Sequence, residues 1–143
     1  MERIEVAEIT GAAELETAFA IRRQVFCEEQ RVDPALEFDG LDDGCRQYLA
    51  RRHGRAIGTA RLRRTGPGAV KIERVAVLAD ERRRGAGAAL MTRAIADARA
   101  AKAESIAIHA QCHAEHFYGG LGFRTEGGVF DEAGIPHVRM ILD

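Results

Sequence analysis

Ile4, Val6 and Ile9 fall between charged residues, and this near-alternation predicts a first strand over 3–9. The period then lengthens. Leu15, Phe19, Val25 and Phe26 recur near one face of 12–30, predicting a helix with Thr10 as its candidate cap. Residues 31–44 lose periodicity and hold Pro34, Gly40 and Gly44, so they read as loop. Two runs, 46–52 and 56–64, flank a short turn as a hairpin, and 69–77 follows the turn Thr65-Gly66-Pro67-Gly68 as a third strand of this group. An alanine-rich stretch, 85–102, predicts a long helix packing through Leu90, Met91, Ala94, Ile95 and Ala98. A strand over 104–110, a short glycine-ended helix over 114–122 and one or two closing strands complete the chain.

The resulting order is β-α-β-β-β-α-β-α-β-β. Strand–helix–strand around the long helix requires a parallel crossover, and the hairpins require antiparallel neighbours. The expected fold class is therefore α/β (α+β), a mixed sheet with helices on its faces. Neither a linker nor an internal repeat interrupts it, so residues 1–143 read as a single domain.

Composition narrows the chemistry. Apolar residues make up 46% and charged residues 30%, a globular mixture. Lys plus Arg number 21 against 22 Asp plus Glu, a balance that argues against nucleic-acid binding through many phosphate contacts. Cys27, Cys45 and Cys112 make an odd set without a CxxC, which fits a reduced, cytoplasmic protein and no structural metal. Cys112 reads either as an inert buried thiol or as one able to form mixed disulfides. No stretch approaches the roughly 20 apolar residues of a membrane helix.

The segment "ERRRGAGAAL" (81–90) joins a predicted strand to the long helix. A glycine-rich turn there exposes backbone N–H groups at a helix start, a ready anion site, and Arg82 and Arg83 add charge. The P-loop is excluded because no Gly-Lys-Ser/Thr follows at its spacing. The dinucleotide fingerprint is excluded because Leu90 stands where its third glycine belongs and Glu104 opens the next strand rather than closing it.

What remains, Arg82-x-x-Gly85-x-Gly87, resembles the acetyl-coenzyme A signature of the GNAT superfamily of N-acetyltransferases. Downstream, Ala114, Phe117, Tyr118, Gly122 and Phe123 resemble that family's A-x-x-F-Y-x-x-x-G-F. The stretches "IRRQVFCEEQ" and "FDEAGIPHVRM" are similar to its ElaA-like branch. The resemblance implies a mostly antiparallel sheet of about six or seven strands with about four helices. It implies acetyl-CoA as cosubstrate, a primary amine of a small molecule or peptide as acceptor, and a homodimer as one arrangement its final strands allow. The cofactor would meet Val75, Ala76, Val77, Arg82, Arg83, Gly85, Ala86, Gly87, Ala88 and Gln111. The backbone of Val75 and Val77 would pair with the pantetheine arm, and a Val75 N–H would hold the thioester oxyanion. Tyr118 would be the general acid that protonates the departing thiolate. Gln111 reads equally as a cap for the following helix.

For the general base the candidates are Glu73, His109, His113, His137 and water, with Glu73 foremost because alternation puts it on Val75's strand face. The acidic run Glu28, Glu29, Asp33, Glu37, Asp39, Asp42 and Asp43 reads either as a solvated loop or as an acidic wall that attracts a cationic amine. Two alternatives to an enzyme stay open: a non-catalytic acyl-CoA sensor on the same fold, and a nucleic-acid contact through Arg82–Arg84.

Overall fold

In the computed structural model, which describes residues 3–143, seven strands form one sheet. The chain runs β1 (Ile4–Glu8), α1 (Ala12–Arg22), α2 (Pro34–Glu37), β2 (Arg46–Arg52), β3 (Arg55–Gly66), β4 (Ala69–Val77), α3 (Ala86–Ala100), β5 (Ser105–Gln111), α4 (Glu115–Gly120), β6 (Arg124–Glu132) and β7 (Ile135–Leu142). The sheet order is β1-β2-β3-β4-β5-β7-β6. Every pair is antiparallel except β4–β5, joined by the α3 crossover as expected for a strand–helix–strand unit.

Each sheet face buries its own cluster. On one side Leu90, Met91, Ala94 and Ala98 of α3 pack on Tyr48, Ile57, Ile72, Ile106, Ile108 and Met140. On the other, Ala18 and Ile21 of α1 and Val25 just beyond it pack on Leu49, Ala76 and Leu78. Leu90 and Met91 have no solvent exposure, and burying each such side chain contributes about 1.5–3 kcal/mol.

Two local departures from the expected pattern shape the molecule. The helix predicted over 12–30 changes pitch at Arg23, and Arg23–Glu29 form a π-helix. Gln30 N–H then donates to Val25 O, an i to i−5 bond of 3.1 Å. Wide turns of this kind are rare and concentrate at functional sites. Here it delivers Phe26, Glu29 and Gln30 to the wall of the main cavity.

The second departure is a bulge in β4. Its register with β3 slips between Ala76↔Thr59 and Glu73↔Arg61, and Arg74 takes a left-handed φ of 56°. The slip reverses the alternation of the strand. Val70 and Ile72 face α3 before it; Val75 and Val77 face α3 after it. Glu73 therefore lies on the opposite face from Val75. The expectation that the two share a face fails because it assumed an unbroken period of two.

β4 and β5 pair only through Ala69↔Ser105, Val70↔Ile106 and Lys71↔Ala107. Beyond Lys71 the ladder stops, although β4 continues to Val77 and β5 to Gln111. The backbone edges of both strands are left open to a cleft.

Candidate active site

The cleft is part of a cavity of about 830 Å³. Its wall includes every residue singled out from the sequence as catalytic or cofactor-binding: Glu73, Val75, Ala76, Val77, Arg82, Arg83, Gly85, Ala86, Gly87, Ala88, Gln111 and Tyr118. His109, His113 and His137 line it too.

One end is the start of α3. Gly85 caps it with φ 93° and ψ 1°, a left-handed conformation that costs an L side chain about 1–2 kcal/mol. No side chain caps the helix, so the N–H groups of its first turn keep their donor capacity and the positive end of the dipole is uncovered. A Cβ on Gly87 would stand 3.4 Å from Phe117 Cζ, so a larger side chain there would meet the α4 ring.

The arginines of this turn divide in an order the sequence did not suggest. Arg82 donates to Val77 O through Nε (2.9 Å) and grips Glu29 with both terminal nitrogens (2.6 and 2.7 Å). That hydrogen bond also holds the Glu29 carboxyl below its ordinary range. Arg82 thus ties the π-helix to the end of β4, its guanidinium paired while it lines the cavity. Arg83, exposed and with φ 64°, has no hydrogen-bond or ion-pair partner among the described residues, so its charge is available.

At the α4 side, Tyr118 packs edge-on against Phe117 and Phe123. Burial pushes its phenol up to about 12, and its hydroxyl has no hydrogen-bond partner among the described residues. It is therefore a protonated, uncommitted donor across neutral pH. Gln111 forms a reciprocal amide pair with Gln30: Gln111 Nε2 donates to Gln30 Oε1 (2.8 Å) and Gln30 Nε2 to Gln111 Oε1 (3.3 Å). The pair joins the π-helix to the end of β5. His113 approaches the same Gln111 Oε1 at 2.7 Å, so its ring supports that pair.

Glu73 is a different object from the base the sequence suggested. Its oxygens meet Arg61 (3.0 Å), Arg63 (2.6 Å) and Lys71 (3.3 Å). Burial alone would raise its pKa, but the Arg63 hydrogen bond and the charges of Arg61 and Lys71 outweigh burial and bring it down to about 2. A carboxylate so held accepts protons poorly at neutral pH. Its ordinary value is near 4.5, so this stabilisation is complete above pH 4.5 and is lost as pH falls toward 2. Glu73→Gln is expected to flatten the loss of stability between pH 5 and 2, measured by urea unfolding at stepped pH. An unchanged slope would show that other carboxyls carry the acid transition.

The acidic run divides: Glu28, Glu29, Asp33, Asp39 and Asp43 are exposed, while Glu37 and Asp42 are drawn inward. Glu37 and Asp42 turn inward onto the fully buried Arg22, at 2.8 and 2.6 Å. Arg61, also fully buried, takes Asp39, Asp42 and Glu73 together. Arg74, projected by the bulge, holds Glu37 and Asp39. Asp33 accepts from Ala35 N–H to start α2. Arginines from α1, β3 and β4 thus neutralise the inner part of the run, Glu37, Asp39 and Asp42, and leave Glu28, Asp33 and Asp43 facing solvent.

On the same side of the sheet as Gln111, a group the sequence did not single out lines the cavity. Glu132 Oε1 lies 2.8 Å from His109 Nδ1, and its Oε2 lies 3.6 Å from His137 Nε2. The His109 hydrogen bond keeps the Glu132 carboxyl below its ordinary range. Phe130 stands edge-on to His109 and stacks on His137. Glu132 and these rings meet only through the β5–β7–β6 pairing, and no local spacing announces that.

A split sheet, a bare helix start beside it and an uncommitted phenol in the same cavity define an acyltransferase. Residues 8–143 match the acetyltransferase (GNAT) domain, and the chain belongs to that family. It is similar to the uncharacterized N-acetyltransferase YjcF of Bacillus subtilis, 33% identical over 132 residues that cover 91% of this chain and 93% of YjcF. Among solved structures it is similar to an acyl-CoA N-acyltransferase from Pseudomonas aeruginosa (TM-score 0.85, 29% identity, covering 99% of this chain and 100% of that one). It is likewise similar to Escherichia coli ElaA (TM-score 0.87, 26% identity, covering 99% of this chain and 100% of that one). Among the described residues no helix is long and apolar enough to cross a membrane.

Proposed function

We propose that this protein transfers an acetyl group from acetyl-CoA to a primary amine of a small molecule or peptide, with Tyr118 as general acid. The observation that carries this reading is one cavity joining the uncapped start of α3 to the Tyr118 ring along the split between β4 and β5. The residues fit the cosubstrate. N–H groups at Gly85–Ala88 suit a pyrophosphate, and Arg83 adds a free cation. The open edge of β4 suits the amide-bearing pantetheine arm, as an added strand would. The Pseudomonas aeruginosa relative of the same fold is an acyl-CoA enzyme, which agrees.

Acetyl-CoA supplies the activated acyl group; the protein supplies orientation and proton transfer. The neutral amine forms the C–N bond at the thioester carbonyl, and the Val75 N–H, at the bulge, is the proposed donor to the developing oxyanion. As the C–S bond breaks, Tyr118 gives its proton to the thiolate, and the proton leaving the attacking nitrogen restores the phenol. The products are an N-acetyl amide and free coenzyme A.

Calorimetry with acetyl-CoA, followed by thiol release over a panel of primary amines, tests the reading. Binding with thiol release on at least one amine supports it. Binding without release on every amine points instead to a sensor of acyl-CoA, and absence of binding overturns both.

A further inference from the structure

Once Glu73 is locked by three cations, amine attack lacks an acceptor for the ammonium proton. We propose that His109 is that acceptor, through Nε2, and that Glu132 is its positioning residue. This rests on the acetyl-transfer reading above.

Geometry sets the tautomer. Glu132 is ionised and can only accept, so the nitrogen 2.8 Å away, His109 Nδ1, carries the ring hydrogen. In the neutral imidazole, Nε2 then bears the lone pair. It has no protein partner among the described residues, and the ring lines the cavity. His137 has no such freedom: its Nδ1 donates to Ile135 O at 2.7 Å and its Nε2 faces Glu132. His113 is spent on Gln111. Phe130 fixes the His109 ring edge-on at 5.0 Å between centroids, so the plane is held as well as the tautomer.

The charged and titratable groups around His109 come from three strands. β6 contributes Glu132. β7 contributes His137 and the cross-strand neighbour Arg139, which itself meets Glu126. β4 contributes Lys71 and Glu73, which are paired with each other. The proton balance is direct. His109 Nε2 takes one proton from R–NH3+, giving imidazolium and a free amine, and releases it to solvent after the amide forms. The second nitrogen proton replaces the one Tyr118 gives to sulfur.

The test uses two acceptor probes with acetyl-CoA. n-Butylamine is an ammonium at neutral pH, whereas hydroxylamine is already a neutral nucleophile and needs no deprotonation before attack. His109→Gln is expected to lower kcat/KM for n-butylamine by about 10²-fold or more, within the range of general acid–base effects, and to abolish the acidic limb of its pH profile. Hydroxylamine turnover is expected to change little. Glu132→Gln is expected to lower kcat for n-butylamine with little change in KM and to move the same limb. Nitrogen NMR of the folded protein is expected to show the Nδ1–H tautomer at His109. Equal losses with both amines, an unchanged n-butylamine rate in His109→Gln, or an Nε2–H tautomer would overturn the assignment to His109. Failure of the wild-type protein to release thiol with these probes and with every other primary amine of the panel would overturn the acetyl-transfer reading itself, and His109's role with it.

Discussion

Tyr118→Phe is expected to lower kcat by about 10²–10³-fold while acetyl-CoA binds with nearly unchanged affinity. The substitution removes one oxygen and keeps the ring between Phe117 and Phe123, so packing survives. Among the described residues the hydroxyl has no partner to strand, and stability is expected to hold or rise slightly. The phenol sits near 12 because burial penalises the phenolate, and the same dry surroundings penalise a thiolate beside it. Proton transfer relieves that second penalty. Steady-state kinetics beside calorimetry with acetyl-CoA reads the split. Equal weakening of turnover and cofactor affinity would assign Tyr118 to binding, and unchanged turnover would remove it from proton transfer.

Arg61→Ala is expected to destabilise the fold by about 3–5 kcal/mol, the usual result of removing one partner from a buried charge cluster. Melting should fall by on the order of 10 °C. Arg61 is fully buried and holds Asp39, Asp42 and Glu73, so its loss leaves three carboxylates short of a counter-ion. Its hydrogen bond keeps Asp39 well below the ordinary carboxylate range, so the gap between the alanine variant and the parent should be widest at neutral pH and narrow as pH falls through the ordinary carboxylate range, where those carboxyls protonate in the variant. Urea unfolding at pH 7 and pH 3 measures both effects. A loss below about 1 kcal/mol at pH 7 would show that water replaces the guanidinium and that the cluster is open to solvent.

The sequence disclosed the parts whose signal is local. Hydrophobic period placed the strands and the main helices in order, and Gly85 and Gly87 announced the turn that starts α3. The period failed where the chain leaves its own repeat. Arg23–Glu29 contain nothing that distinguishes a π-helix from the α-helix before it. The bulge at Arg74 lies in a run, Glu73-Arg74-Val75-Ala76-Val77, in which no glycine or proline marks an irregular backbone. Long-range pairing hid the rest. Nothing local marks Arg22 and Arg61 as buried; Glu37, Asp39 and Asp42 enclose them only in the fold. Nothing near Arg82 announces its pairing with Glu29, which is 53 residues away in the chain. Glu132 and His109 are 23 residues apart and come together only because β6 and β5 flank β7.

The bulge at Arg74 has an evolutionary corollary. One extra residue sits in β4 at that point, and the left-handed turn at Arg74 absorbs it, so Val75 and Val77 still reach the α3 layer while Glu73 stays out of it. Deleting Arg74 would leave that in–out order intact, with Ile72 and Val75 facing α3 and Glu73 between them on the other face. A one-residue gap here is therefore expected to spare the core; what it removes is the kink itself and the Arg74 grip on Glu37 and Asp39. A lineage short of one residue between Glu73 and Ala76 would keep its packing and lose that tie.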